Sequence, residues 1–134
     1  MTAALLDAGA RVVAVELHPA RVEVLRARFA GMPVTVVRAD ATTVRLPRRP
    51  FRVVANPPWS LAESIRAHLM RAPALMRADL VLPRWLVRRW VTGYPGIAIG
   101  ASLRAESFHP PAPTGSAVAV LFGQRAGRRS RGSG

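Results

Sequence analysis

The sequence contains no cysteine and no lysine among its 134 residues. Without cysteine the chain can form neither a disulfide framework nor a thiolate metal site. The three histidines are scattered along the sequence, at His18, His68 and His109, so we expect no metal. No apolar run approaches the roughly 18 residues that span a bilayer, and the first residues lack the pattern of a signal peptide. We therefore expect a cytoplasmic protein, monomeric and without a membrane partner.

Acidic residues are scarce. Only 7 carboxylates face 20 basic side chains, all of them arginine, which gives a net charge of +13. So large an excess of positive charge on a folded domain favours a polyanionic partner. Arginine forms forked contacts with phosphate and stacks on bases, so a nucleic acid is the expected partner. Codon bias in a genome rich in G and C is the alternative explanation for the arginines.

Short apolar strands alternate with helical segments along most of the chain, which is long enough for one domain. We predict helices at 19–29, 61–72 and 84–91, and strands at 11–17, 34–38, 51–55 and 79–82. Two longer strands, 97–107 and 116–123, are predicted to be joined by the proline-rich loop 108–115 without an intervening helix. The pattern is typical of a doubly wound α/β sheet with one reversed edge strand.

Asn56, Pro57, Pro58 and Trp59 directly follow the predicted strand 51–55. A turn at this place brings an amide side chain, a carbonyl and a flat aromatic face together. The Asn56 oxygen and the carbonyl preceding Pro58 can accept the two hydrogens of a planar exocyclic amine, while Trp59 stacks on its ring. Proline fixes φ and donates no hydrogen bond, which holds that carbonyl rigidly. An ordinary proline turn is the alternative, since Asn-Pro pairs often begin turns.

Two carboxylates also fall at strand ends, Glu16 after the first strand and Asp40 after the second. Ligands of open α/β sheets bind beyond the carboxyl ends of the strands. An acid in the position of Glu16 is suited to the hydroxyls of a ribose, and Asp40 can accept a hydrogen bond from an adenine amine. Either carboxylate can instead cap the next helix. Together with Asn56, they outline a site for an adenosine-bearing cofactor next to a site for an amine.

The order of these motifs resembles that of the rRNA adenine-N6 dimethyltransferases. The resemblance covers nearly everything from Thr2 to Phe122 and is closer to the erythromycin-resistance branch, which modifies 23S rRNA, than to the branch that modifies the small-subunit rRNA. The matching runs are Ala-Gly-Ala-Arg-Val-Val-Ala-Val-Glu (8–16), Arg-Ala-Asp (38–40), Asn-Pro-Pro-Trp (56–59) and Phe108-His-Pro-Pro followed by Ser116-Ala-Val.

The resemblance implies a Rossmann-like methyltransferase that uses S-adenosyl-L-methionine, methylates an adenine of 23S rRNA and confers macrolide-type antibiotic resistance. It implies that the target amine is held by Asn56 with Pro57, and that Trp59 and Phe108 clamp the target ring, which must leave the RNA stack. The cofactor-binding residues implied are Glu16, Leu17, Asp40, Ala41 and Asn56. The residues implied to contact RNA phosphate are Arg84, Arg88 and Arg89.

Several features depart from the family pattern. Trp59 replaces the usual Tyr or Phe, Pro83 replaces a common Gln, and the late loop 110–116 reads Pro-Pro-Ala-Pro-Thr-Gly-Ser. Family members carry a strand and a Gly-rich turn, which cradles the methionine part of the cofactor, before the residues that match Thr2. We therefore expect an incomplete sheet without its first, central strand. The expected organisation is a partial catalytic domain over 1–124, no carboxy-terminal helical domain and a disordered Arg/Gly/Ser tail over 125–134.

Two other functions stay open. The same fold can methylate DNA adenine or cytosine, or a protein glutamine, because Asn-Pro-Pro-aromatic suits every planar amine; the charge of +13 disfavours the glutamine. A non-catalytic RNA-binding remnant is the third interpretation. The rRNA and DNA methyltransferases differ in which nucleic acid they methylate. The RNA-binding remnant differs from both in not binding the cofactor.

Overall fold

The computed structural model describes residues 1–100 and 115–124. The chain divides into two compact units, the first from Met1 to Arg45 and the second from Leu46 onward. None of the described helices is long and apolar enough to cross a membrane. The elements are α1 (Thr2–Asp7), β1 (Val12–Glu16), α2 (Pro19–Arg28), β2 (Val34–Arg38), β3 (Phe51–Ala55), α3 (Trp59–Met70), β4 (Leu75–Pro83), α4 (Arg84–Gly93), β5 (Ile97–Ile99) and β6 (Ser116–Phe122).

Most of the predicted elements are confirmed, and β2 and β3 have the predicted bounds. Helix α3 begins at Trp59 rather than at residue 61, because Pro58 is its N-cap and the Pro58 carbonyl accepts a hydrogen bond from the Leu61 amide. Strand β4 begins four residues earlier than predicted, since Arg77 interrupts the apolar run but pairs with Asp79 along the strand. The rest of the predicted strand 97–107 lies outside the described residues, as do most of the loop 108–115 and the tail 125–134.

The first unit contains a two-stranded parallel sheet of β1 and β2. Its register runs from the pair Val12 and Val34 to the pair Glu16 and Arg38, so both strands end at the same edge. Helix α2 starts with a proline at its first position, which suits proline because that position needs no amide donor. The apolar side of α2 buries Val22, and Phe29 at its end is buried as well.

The second unit contains a four-stranded sheet in the order β3-β4-β6-β5. β3 and β4 are parallel, and β6 runs antiparallel to both β4 and β5. One reversed strand is therefore present as predicted, but it lies one place in from the edge, and β5 forms the edge. The reason is burial: residues 117–121 of β6 are all buried, on both faces of the strand, and such a strand pairs along both of its sides.

The core of the second unit lies between one face of this sheet and the helices α3 and α4. Trp90 of α4 is fully buried, and its indole N–H donates to the Glu63 carboxylate of α3. Glu63 also accepts a hydrogen bond of 3.0 Å from Arg66, whose guanidinium lies 3.8 Å from the centre of the Tyr94 ring. These contacts join α3 to α4.

Each unit has a strand that pairs along one side. Among the residues that the structure describes, β1 pairs with β2 alone and β3 pairs with β4 alone. Side chains of both strands are left partly exposed, among them Val13 and Val54.

Gly123 provides a test of the pairing between β4 and β6. Its amide donates to the Met76 carbonyl, and a Cβ added there would lie 1.6 Å from the Leu75 carbonyl oxygen. Because that oxygen is backbone, Gly123→Ala forces the two strands apart, and we expect it to lower the free energy of unfolding by about 3 kcal/mol. Urea unfolding followed by tryptophan fluorescence measures this, since all three tryptophans lie in the second unit.

Gly93→Ala is the matched control. Nothing lies within 4 Å of a Cβ at Gly93, the last residue of α4, and alanine is a better helix former there. We expect this variant to be at least as stable as the wild type. Equal unfolding midpoints for the two variants would contradict the close approach of the strands at Gly123.

Candidate functional site

The two predicted cofactor carboxylates lie at the same edge of the first unit. Glu16 is the last residue of β1 and Asp40 follows β2 by two residues. The Ala39 amide donates to the Glu16 carbonyl at 3.1 Å, which continues the pairing of the strands up to Asp40. Because the strands are parallel, both carboxylates stand at their carboxyl ends, as the sequence predicts.

Within the described residues, Glu16 forms contacts through only one of its carboxylate oxygens. Oε1 accepts from the His18 amide at 3.1 Å and lies 3.9 Å from the Arg21 guanidinium. No hydrogen bond to Oε2 occurs within the described part of the chain, and the side chain is 24% exposed. Glu16 therefore supports the turn into α2 and still presents a free acceptor oxygen.

Asp40 likewise has one carboxylate oxygen bonded within the turn and one left as an acceptor. Its Oδ1 accepts two hydrogen bonds from Thr42, from the amide at 2.8 Å and from the hydroxyl at 2.6 Å. Hydrogen bonds to the charged form lower the pKa of the Asp40 carboxyl below its usual value, the Thr42 hydroxyl being the largest cause. The carboxylate is thus ionised at neutral pH. Oδ2 accepts nothing from the residues described, and the neighbouring Leu17 and Ala41 are both exposed.

The Asn-Pro-Pro-Trp run lies in the second unit, between the end of β3 and the start of α3. The Pro58 carbonyl is occupied by the Leu61 amide. By contrast, the side-chain amide of Asn56 and the backbone carbonyl of Pro57 have no hydrogen-bond partner in residues 1–100 and 115–124. Trp59 is 65% exposed although it begins a helix that packs on the core. The turn therefore offers two unoccupied acceptors beside an exposed aromatic face.

The three arginines predicted to contact RNA all lie on α4 and are exposed. Arg84 and Arg88 line a cleft of about 210 Å³ together with residues of β5, β6 and the chain next to them, whereas Arg89 does not line it. Phe108, the remaining predicted site residue, lies outside the described residues. Within the described ranges there is no group of three side chains that could hold a metal ion.

Sequence reasoning missed the residues that complete these sites. Thr42, which fixes Asp40, leaves a local signal, because Asp followed two residues later by Thr is typical of a side-chain-bonded turn. Gly100 and Ser116, which line the cleft with the arginines, leave none. They are brought to α4 by the pairing of β5 with β6.

Comparison with solved structures defines the class of fold. The chain is similar to the 23S rRNA methyltransferase ErmE, with a TM-score of 0.72 and 23% identity over 85% of this chain and 52% of that one. A dimethyladenosine transferase from Plasmodium falciparum gives a TM-score of 0.64 at 17% identity, covering 89% and 50%. The glycopeptide N-methyltransferase MtfA, solved with S-adenosyl-L-methionine, gives 0.52 at 21% identity, covering 97% and 64%. The fold is thus that of the Rossmann-like methyltransferases.

Sequence comparison identifies the family, although no protein-family model matches the chain. Ribosomal RNA small subunit methyltransferase A of Leifsonia xyli is 38% identical over 104 residues, which are 72% of this chain and 37% of that protein. Its counterpart in Rhodococcus opacus is 33% identical over 133 residues, or 91% and 45%. The chain spans less than half the length of these relatives. The matches confirm the predicted resemblance: the chain is a relative of the rRNA adenine-N6 dimethyltransferases.

The hydrogen bond from Thr42 to Asp40 predicts a measurable change in acidity. In Thr42→Val the hydroxyl donor is lost while the backbone donor remains, so the pKa of Asp40 should rise toward the usual aspartate value of about 3.9. A carbon-detected NMR titration of the side-chain carboxyl measures it directly.

Thr43→Val is the control, because Thr43 contacts Asp40 only through its backbone amide. The sign for stability follows from the lowered pKa. Ionised Asp40 stabilises the fold at neutral pH, and this contribution is lost as the pH falls through the folded-state pKa. An unchanged or lowered Asp40 pKa in Thr42→Val would show that the hydroxyl does not hold the carboxylate.

Proposed function

We propose that the protein transfers a methyl group from S-adenosyl-L-methionine to the exocyclic N6 of an adenine in rRNA. The observation that carries the proposal is the pair of unoccupied acceptors at Asn56 and Pro57, next to the exposed Trp59. Two hydrogen-bond acceptors and an aromatic face suit an amino group on a flat ring. The sequence relatives support rRNA as the source of that ring.

The chain's own part in the reaction is to orient the amine. The Asn56 oxygen and the Pro57 carbonyl accept the two N6 hydrogens, so the nitrogen lone pair points away from them toward the methyl donor. Trp59 stacks on the adenine once the base has left the RNA stack, and Phe108 is proposed as the second wall of the clamp. Bound cofactor supplies an electrophilic methyl group on a sulfonium. A methylated N6 would give up one of its protons to water, so no base of shifted pKa is needed, and the chain contributes by aligning the amine.

The first unit is proposed to hold the adenosine part of the cofactor. Glu16 and Asp40 each present a free carboxylate oxygen at the same sheet edge, and such oxygens match ribose hydroxyls and an adenine amine. The two carboxylates therefore fit the adenosine part of the cofactor as hydrogen-bond acceptors for its hydroxyl and amine donors. The exposed Leu17 and Ala41 follow these carboxylates directly and provide the surface against which the adenine rests. Asn56 is proposed to contact the cofactor as well as the acceptor.

We propose 23S rRNA as the acceptor and macrolide resistance as the consequence. The order of motifs supports the 23S branch, and the fold is similar to that of the 23S rRNA methyltransferase ErmE. The sequence relatives are small-subunit enzymes, so 16S rRNA is the competing acceptor. Arg84 and Arg88 are proposed to contact the phosphates of whichever RNA is bound, and Arg89 to add positive charge beside them.

The test is methyl transfer by the complete gene product from labelled S-adenosyl-L-methionine to protein-free 23S rRNA, 16S rRNA and duplex DNA. Asn56→Ala should lower the turnover rate at least tenfold, about 1.4 kcal/mol of barrier, with little change in cofactor affinity. The reason is that the Asn56 side chain acts on the amine in the chemical step.

Ser64→Ala is the matched control, an exposed small polar residue on the same helix α3. It should transfer methyl groups at the wild-type rate. An Asn56→Ala variant that keeps more than about a tenth of the rate would rule out the proposed role. Transfer to DNA alone, or cofactor binding without any transfer, would replace the proposal by one of the two alternatives.

A further inference from the structure

A cleft of about 210 Å³ lies between the start of α4 and the paired strands β5 and β6. Its walls are of two kinds. Arg84 and Arg88 form the charged wall, Ile99 and Ala117 are the apolar lining of the cleft, and Gly100 and Ser116 line it as well. The backbone holds the two walls together, since the Arg84 amide donates to the Gly115 carbonyl at 2.8 Å and the Gly100 amide to Val118 at 2.8 Å.

Among the residues that the structure describes, no acidic side chain compensates the charge of this cleft. Arg84 and Arg88 are four residues apart on one helix, a spacing at which like charges destabilise a helix. Its described lining contains no carboxylate, and neither arginine forms an ion pair within the described ranges. Of the arginines in the described ranges, only Arg21, Arg26, Arg66 and Arg77 pair with an acid, so what distinguishes Arg84 and Arg88 is the cleft that they share. A cleft with two guanidinium groups on one wall is suited to an anion.

Arg89 supplies a contrast on the same helix. With 3.6 residues per turn, it points roughly 100° away from Arg88, and it does not line the cleft. It is exposed like the other two, carries the same charge and has no ion pair in the described ranges. Arg89 therefore differs from them only in having no cleft around it.

We propose that Arg84 and Arg88 bind one phosphodiester group of an RNA strand, with the ribose of that nucleotide against Ile99 and Ala117. The inference deepens the proposed function, on which it rests for the choice of RNA. Two guanidinium groups one helical turn apart can donate paired hydrogen bonds to the same phosphate. Lysine cannot replace them, because an ammonium is a point charge without a fork. Arg89 contributes charge alone.

The test replaces arginine by lysine, so that net charge is constant. Binding of the full chain to a short labelled single-stranded RNA is measured by fluorescence anisotropy at fixed salt. We expect Arg84→Lys and Arg88→Lys each to weaken binding about fivefold to tenfold, the loss of one charge-assisted hydrogen bond. Arg89→Lys should change affinity less than about twofold. The double variant should lose less than the product of the single effects, because both side chains hold one phosphate.

Neutral variants complete the test. Arg84→Gln should reduce the slope of log affinity against log salt by about 0.7, the value for one phosphate contact on a single strand. Equal losses for all three lysine variants, or an intact chain that does not bind the RNA, would overturn the proposal. Displacement of the RNA by inorganic phosphate at constant ionic strength, abolished in Arg84→Lys, would overturn it in favour of a free-phosphate site.

This experiment involves no cofactor and no methyl transfer. Suppose that Arg84→Lys and Arg88→Lys lose RNA affinity but no methyl transfer depends on Asn56. The phosphate site would then be supported and the proposed reaction contradicted. If methyl transfer depends on Asn56 but all three lysine variants bind RNA equally well, the reaction is supported and the phosphate site is contradicted. Thermal unfolding of each variant checks that the fold is retained.

Discussion

The second unit depends on strand β4 being paired along both of its edges. β4 takes β3 as a parallel neighbour and β6 as an antiparallel one, with seven residue pairs in the second ladder. The approach of the two backbones at Gly123 leaves no room for a side chain. Both proposed RNA-contacting features follow from this pairing. β3 ends in the Asn56 turn, and β4 runs directly into α4, whose first arginine is tied to the chain before β6.

The helices that carry these features are fixed to each other as well as to the sheet. Trp90 is buried with its indole N–H on Glu63, which removes the cost of burying an unpaired donor. Arg66 bonds the same carboxylate and covers the Tyr94 ring. A buried aromatic, a shared carboxylate and a stacked guanidinium therefore set the spacing of α3 and α4. The Asn56 turn and the cleft lie at the starts of those helices.

The sequence predicts most elements because its apolar runs are bounded by clear signals. β3 ends where it should because Asn56 and two prolines follow it, and the placement of Glu16 and Asp40 at strand ends follows from the same runs. The inner position of β6 could not be predicted, because the order of strands along the sequence does not determine their order in the sheet. The start of α3 was missed because a proline can serve as an N-cap. The cleft could not be predicted, because Gly100 and Ser116 come next to Arg84 and Arg88 only when β5 and β6 are paired.

The central claim is that the Asn56 turn presents an adenine amine to a methyl donor. Nucleoside analysis by mass spectrometry after reaction with rRNA tests it most directly, because it identifies the methylated atom. The account predicts that the transferred methyl group is found on N6 of adenosine, and that the product forms at least tenfold more slowly when Asn56 is replaced by Ala. A methyl group on a ribose oxygen or a ring carbon would contradict it, since neither presents two hydrogens to the Asn56 and Pro57 acceptors.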